Sequence, residues 1–190
     1  MNLRQINFPL SQYINDETVK KQIFLHHTAG NSNPIGVFDY WKTTKERVAT
    51  CVVIGGDPGT NKLWNDGEII QGFSSKYWAY HLGLKESTFD KFNLPYKSLD
   101  KTSIGIEICN WGQLIKMGDK FYNYVNNVVP SNQVIELEKP YRGNKYYHSY
   151  TNEQIKSLKD LLLLWGDKYN IPLDFHEDIF DVTPRALKGD

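Results

Sequence analysis

The chain has 190 residues, and its 22 lysine and arginine residues balance its 22 aspartate and glutamate residues, so the formal net charge is zero. This balance excludes a nucleic-acid binder that relies on neutralising phosphates, because such a protein needs a surplus of basic side chains. Hydrophobic residues at 40%, aromatic residues at 14% and charged residues at 23% indicate a globular protein and exclude a disordered tail.

The first half of the chain contains four segments with the composition of regular elements, separated by turn residues such as glycine, proline and asparagine. They are a buried strand over 21–28, an amphipathic helix from Pro34 to about Lys45, a strand over 48–54, and a hairpin formed by 63–64 and 68–71.

The second half predicts a strand over 102–109, a hairpin-like excursion over 120–129 and 133–139, and a helix over 152–169. Thr151 is a good N-cap for that helix, and Gln154 three residues later completes a capping box. Strands that alternate with helices predict an α/β fold with a single mixed central β-sheet flanked by helices. We expect one domain over residues 1–190.

Export, membrane and disulfide signals are absent from the sequence. The longest apolar run, residues 161–165, is far shorter than the roughly 20 residues that cross a bilayer. The first residues lack the apolar stretch and cleavage site of a secretory signal. Cys51 and Cys109 do not form a disulfide framework, and we expect both to be reduced.

His26 and His27 are the first candidate site residues. Consecutive side chains on a strand point to opposite faces, so only one of the two can serve a given site. The alternative interpretation is one histidine in the core and one on the surface.

Glu107 is the second candidate, because residues 103–109 alternate strictly. Ile104, Ile106 and Ile108 form an apolar face that belongs to the core, and the opposite face carries small residues and Glu107. Small residues with one carboxylate are typical of the floor of a cleft, although an exposed sheet face gives the same pattern. A glutamate on a central strand is rarely buried without a partner.

The C-terminal segment holds His176 and Asp190, fourteen positions apart. A loop can fold both inward as zinc ligands, because Zn²⁺ accepts histidine nitrogen and aspartate oxygen. Solvated loop charges are the alternative.

Taken in order, these segments resemble the zinc-dependent N-acetylmuramoyl-L-alanine amidases of the type-2 amidase and peptidoglycan-recognition-protein superfamily. The resemblance extends from about residue 21 to the end of the chain and implies the α/β fold of that superfamily. The matching motifs are Phe-Leu-His-His-Thr-Ala at 24–29, Tyr-His-Leu-Gly at 80–83, Ile-Gly-Ile-Glu at 104–107, and His176 followed by Lys-Gly-Asp at 188–190.

The resemblance implies one Zn²⁺ ion held by His26, His176 and Asp190. It gives Glu107 the place of the general base and Lys188 that of a lysine that stabilises the oxyanion.

Some relatives use a tyrosine as the base, on the strand that corresponds to 48–54. Thr50 stands at that place here, so the base falls to Glu107. Candidate substrate-binding residues are His81, Asn110, Trp111 and Trp41, and core packing is the alternative for the two tryptophans.

The implied reaction is hydrolysis of the amide between the lactyl group of N-acetylmuramic acid and L-Ala of the stem peptide, with peptidoglycan or a muropeptide as partner. The alternatives are a non-catalytic peptidoglycan-binding receptor domain and a cytoplasmic muropeptide-recycling amidase. We expect a protein made in the cytoplasm without membrane insertion that acts on the cell wall, as a phage endolysin or released lysin does. Relatives usually continue beyond the third zinc ligand, so a C-terminal truncation at Asp190 is a further interpretation.

Overall fold

A five-stranded mixed sheet forms the centre of the protein. The computed structural model describes residues 2–174 and 183–189. The strands of this sheet are β1 (Leu3–Gln5), β2 (Gln22–His27), β3 (Val52–Ile54), β4 (Ile69–Gln71) and β5 (Ser103–Ile108). They follow the spatial order β1-β4-β3-β5-β2, in which β2 and β3 both run parallel to β5 and β4 runs antiparallel to β3.

The main core lies between this sheet and two helices, α1 (Pro34–Trp41) and α4 (Asn152–Tyr169). Ile104, Ile106 and Ile108 of β5 are buried in it, as the sequence alternation predicts. Phe38 of α1 is fully buried, and Leu161 of α4 is 1% exposed. The predicted α/β class with a mixed central sheet flanked by helices is confirmed.

Helix α4 has the predicted bounds because both of its ends are marked in the sequence. The Thr151 hydroxyl accepts from the Gln154 amide at 3.1 Å, and the Gln154 side chain accepts from the Thr151 amide at 3.0 Å. Asn170 ends the helix in the left-handed conformation at a φ of 53°. Thr151 also donates to the Asp66 carboxylate at 2.7 Å, which ties the helix start to a distant loop.

A second five-stranded sheet occupies the region of the predicted excursion. Its strands are β6 (Gln113–Met117), β7 (Lys120–Tyr122), β8 (Val128–Val129), β9 (Val134–Tyr141) and β10 (Asn144–His148). The sheet is antiparallel throughout, in the order β8-β7-β6-β10-β9. The remaining helices are the short α2 (Glu86–Asp90), α3 (Leu99–Thr102) and α5 (Thr183–Lys188).

Three predicted elements differ from the structure. The strand predicted over 48–54 is regular only over Val52–Ile54, and Val48 forms an isolated bridge with Tyr80. Helix α1 ends at Trp41 rather than Lys45, because the amides of Thr43 and Thr44 bond three residues back and tighten the last turn. The predicted hairpin is wrong, because Ile69–Gln71 pairs with β3 and β1. Within residues 2–174 and 183–189, none of the helices has the length and apolar character needed to cross a bilayer.

We expect Thr151→Ala to lower the free energy of unfolding by about 1 kcal/mol, the usual value of a helix N-cap. The variant loses the cap at Gln154 and the bond to Asp66. Urea unfolding followed by circular dichroism measures the change. Thr151→Ser keeps the hydroxyl and is the matched control, and equal stability of the two variants contradicts the assignment.

Candidate active site

The pairing of β2 with β5 brings His26 and Glu107 side by side. The two strands are parallel, and His26 is the register partner of Glu107. Partners in a parallel pair share a face of the sheet, so both side chains belong to the face that also carries Gly105. The predicted alternation of β5 is therefore confirmed, and this face forms the base of a candidate active site.

His81 reaches this face from the chain that follows β4. Its Nδ1 lies 3.0 Å from His26 Nε2, and its Nε2 lies 2.9 Å from the Ser103 hydroxyl. A Cβ atom on Gly105 would lie 3.0 Å from the His81 ring, so the glycine makes room for the imidazole. The His81 backbone amide donates to Asp100 at 2.8 Å, which fixes the chain behind the ring.

Burial determines the charge of these groups. It raises the pKa of Glu107 to about 7. It lowers the pKa of His26, with the carboxylate of Asp100 opposing the shift. Burial is the largest of the causes that lower the pKa of His81 to about 3, and the neighbouring His26 and Lys20 contribute to the same shift. At neutral pH both imidazoles are therefore uncharged, whereas Glu107 is poised between its two protonation states.

A cleft of about 440 Å³ opens next to Glu107. One wall comes from α1 and the turn before it, and the other comes from the chain around the second sheet. Trp111 and Tyr124 meet edge to face in that second wall, with ring centroids 6.0 Å apart. The lining residues are Thr28, Ala29, Gly30, Asn31, Asn33, Gly36, Val37, Tyr40, Trp41, Glu107, Trp111, Tyr124 and Val125.

Only some of the predicted substrate-binding residues line the cleft. Trp111 lines the cleft. Trp41 lines it too but is only 7% exposed and packs edge to face on Phe38. His81 is not among the residues that line the cleft and lies beside His26.

Asn110 does not fit the prediction that it contacts substrate. Its side chain is buried, and the amide nitrogen donates to the carbonyls of His148 and Ser149. The amide oxygen accepts from Gly112 N at 2.7 Å. These bonds use the polar atoms of the side chain to hold the turn that leads into the second sheet.

His27 lies on the opposite face from His26, as strand alternation predicts. Its Nδ1 accepts from the Ala29 amide at 3.2 Å, and a Cβ on Gly112 would lie 2.8 Å from its ring. The other two predicted zinc ligands, His176 and Asp190, lie outside the described residues.

Of the three predicted zinc ligands, His26 is the one within the described residues, and its surroundings suit a zinc ligand. Within 2–174 and 183–189, no group of three or more histidine, cysteine, aspartate or glutamate side chains has an arrangement that could hold a metal ion. His26, however, is held in its neutral form by burial, and a neutral imidazole is the form that binds zinc. It also carries a hydrogen bond on one ring nitrogen, as zinc-bound histidines usually do.

The described contacts of the last helix do not place Lys188 beside Glu107. Helix α5 contacts the start of β2, where the Gln22 side chain donates to the Ala186 carbonyl at 3.0 Å. Leu187 is buried beside Phe89 and Leu99. Gln22 lies four residues before His26, which is about 13 Å along a strand.

Sequence reasoning missed two features of the site. Tyr124 received no role, because the loop that holds it against Trp111 belongs to a region of short, exposed strands. His81 was predicted to bind substrate, whereas it contacts His26. The alternation of β5 puts Ser103 and Gly105 on the Glu107 face, and these small residues leave room there for another side chain. The contact with His26 joins positions 55 residues apart, and no local pattern encodes it.

Comparisons with known proteins agree with the fold and with the family that the sequence motifs indicated. The sequence model of a family described as N-acetylmuramoyl-L-alanine amidase matches residues 16–186. No curated protein matches the chain.

Three solved structures with similar folds illustrate the likeness. PlyL has a TM-score of 0.51 at 15% identity, covering 90% of this chain and 77% of that one. A mutant endolysin from Bacillus subtilis has a TM-score of 0.51 at 16% identity, with 91% and 80% covered. The N-acetylmuramyl-L-alanine amidase AmiD from E. coli, in complex with anhydro-N-acetylmuramic acid-L-Ala-D-gamma-Glu-L-Lys, has a TM-score of 0.50 at 19% identity, with 84% and 48% covered.

Glu107 makes stability depend on pH in a defined direction. Its pKa is about 7 in the folded protein, above the ordinary 4.5, so the folded state holds the proton more tightly than the unfolded state. The free energy of unfolding therefore falls as the pH rises from about 4.5 to about 7. The glutamine side chain of Glu107→Gln cannot ionise. We therefore expect the free energy of unfolding of this variant to lack the decrease that Glu107 causes.

Urea unfolding of both proteins across this pH range measures the difference. The stability of the variant relative to the unmodified chain should increase with pH and then level off above about pH 7. Glu138→Gln, at an exposed position of β9, is the control and should follow the unmodified chain. A constant difference between Glu107→Gln and the unmodified chain shows that Glu107 does not titrate in this way.

Proposed function

The chain belongs to the N-acetylmuramoyl-L-alanine amidase family, and from that premise we propose that it is a zinc-dependent hydrolase of peptidoglycan. The bond cleaved is the amide between the lactyl group of N-acetylmuramic acid and L-Ala of the stem peptide. One observation carries this proposal: a half-buried carboxyl group, Glu107, lines the cleft and is the strand neighbour of His26.

Glu107 has the properties of a general base for this reaction. Its pKa of about 7 leaves a large fraction ionised at neutral pH, while the protonated form remains acidic enough to give the proton back. It can thus take a proton from the attacking water and pass it to the leaving amine of L-Ala. Because the carboxyl group lines the cleft, a substrate amide can reach it.

The proposed zinc ligands are His26, His176 and Asp190. When bound, the ion polarises the amide carbonyl and makes water more acidic. Lys188 stays a prediction as the oxyanion-stabilising group, and the described contacts of α5 do not place it there. Thr50 is not an alternative base, because its hydroxyl donates to the Val52 carbonyl at 2.7 Å.

The cleft walls suit a substrate that is part sugar and part peptide. Trp111, Tyr124 and Tyr40 offer flat surfaces that are apolar with polar edges. Tyr40 and Tyr124 are 67% and 60% exposed, so their rings are available to a ligand. Asn31 and Asn33 add polar atoms on the α1 side. Apolar walls with a few placed polar groups are the usual composition of ligand sites.

The role we propose is lysis of the bacterial cell wall, as in an endolysin. The fold neighbour from Bacillus subtilis is named an endolysin, and that name motivates the choice over recycling of soluble muropeptides. Purified sacculi and soluble muropeptides, offered to the same zinc-loaded protein, separate the two roles. Faster release of stem peptides from sacculi supports the lytic role.

We expect Glu107→Gln to lower the rate of muramoyl-L-alanine hydrolysis by about 10²–10⁴-fold, the usual contribution of a positioned base. The amide has nearly the shape of the carboxylate but does not accept a proton. Release of stem peptide, followed by chromatography, measures the rate, and zinc content and unfolding are checked in the same samples. Activity within a few fold of the unmodified chain removes Glu107 from the mechanism.

We expect His26→Ala to lose bound zinc and His27→Ala to retain it. The two positions adjoin in sequence, but strand alternation puts only His26 on the face of Glu107. Elemental analysis of protein purified without added metal makes the comparison. Equal loss in both variants, or loss in neither, contradicts the ligand assignment. Absence of zinc from the unmodified chain favours a non-catalytic receptor domain.

A further inference from the structure

A chain of hydrogen bonds runs from His26 to a backbone carbonyl. His26 Nε2 lies 3.0 Å from His81 Nδ1, and His81 Nε2 lies 2.9 Å from the Ser103 hydroxyl oxygen. The Ser103 hydroxyl lies 2.7 Å from the carbonyl oxygen of Leu99. The three side chains thus form one continuous series with a backbone atom at its end.

The backbone carbonyl fixes the direction of the whole series. A carbonyl oxygen only accepts, and a serine hydroxyl has a single proton, so Ser103 donates that proton to Leu99. The Ser103 oxygen is then left with lone pairs toward His81. His81 Nε2 must therefore carry a proton and donate it to Ser103.

The same reasoning continues to His26. Neutral imidazole has one N–H, so a His81 protonated at Nε2 presents a bare Nδ1 that accepts. His26 must then donate from Nε2, which leaves the lone pair of its own ring on Nδ1.

We propose that His81 and Ser103 are positioning residues that set the tautomer of His26, so that Nδ1 is the nitrogen offered to the zinc. This inference rests on the proposed function for the identity of the metal, but the tautomer itself follows from the hydrogen bonds. It replaces the substrate-binding role that the sequence resemblance implied for His81.

The surroundings of His81 are built to hold this arrangement. Asp100 accepts from the backbone amides of His81 and Leu82 at 2.8 and 3.0 Å. The ring lies against Gly105, where any Cβ would press on it from 3.0 Å. Ser103 is 2% exposed, so water does not compete for its hydroxyl. The His81 ring is held by the hydrogen bond of its backbone amide, by its contact with Gly105 and by the bond of its Nε2 to Ser103. It therefore has little freedom to rotate.

The test is ¹⁵N NMR of the histidine side chains in the metal-free full chain. We expect His26 to be protonated at Nε2 and bare at Nδ1. In Ser103→Ala the acceptor for His81 is lost, so both tautomers of His26 should become populated. Zinc affinity, measured by competition with a chelator, should fall by about 10–100-fold, as for other losses of a ligand's hydrogen-bond support.

Two further variants keep the test decisive. Ser103→Thr retains a hydroxyl and should restore the single tautomer, whereas His81→Leu should give mixed tautomers even with Ser103 intact. His27 is the internal control, because its Nδ1 accepts from the Ala29 amide independently of the series, so its signal should not change. A His26 protonated at Nδ1 in the unmodified chain, or a tautomer unaffected by Ser103→Ala and His81→Leu, overturns the proposal.

Failure of this inference is distinguishable from failure of the proposed function. Hydrolysis and zinc binding by a chain whose His26 carries its proton on Nδ1 overturn only the positioning role. The expected tautomer in a chain that binds no zinc and cleaves no muramoyl peptide leaves the hydrogen-bond series intact, and overturns the metal role of His26 together with the proposed function.

Discussion

The register between β2 and β5 is the constraint on which the rest of the site depends. It places an imidazole and a carboxyl group at adjacent positions on one face of a largely buried sheet. A shift of one residue would move every side chain of β2 to the other face and put His27 in place of His26. The buried isoleucines of β5 oppose such a shift, because it would leave their side of the sheet without its apolar partners.

The sequence predicted the features that depend on local chemistry. Helix α4 was bounded correctly because Thr151, Gln154 and Asn170 mark its ends through contacts within a few residues. The alternation of β5 identified the face of Glu107 for the same reason. In both cases the residues that decide the structure lie next to each other in the chain.

Features that depend on pairing between segments far apart in the chain could not be predicted from the sequence. Ile69–Gln71 pairs with β3 and with β1, which lies more than 60 residues earlier, and no turn signal announces that partner. The second sheet is built from strands of two to eight residues, and few of its apolar residues are buried, so their periodicity carried little signal. The contact of His81 with His26 also depends on the tertiary fold, because only the completed sheet places Gly105 beneath the ring.

The buried amide of Asn110 has an architectural consequence. It bonds to the carbonyls of His148 and Ser149, and His148 N donates to the Gly112 carbonyl at 2.8 Å, so the chain enters and leaves the second sheet at one point. When the two ends of a segment lie in contact, the segment can be replaced by one of a different length, because a short turn can join the same two ends at small entropic cost. The wall that carries Tyr124 can therefore be replaced while Glu107 stays in place, so the two sides of the proposed substrate cleft are structurally independent of each other.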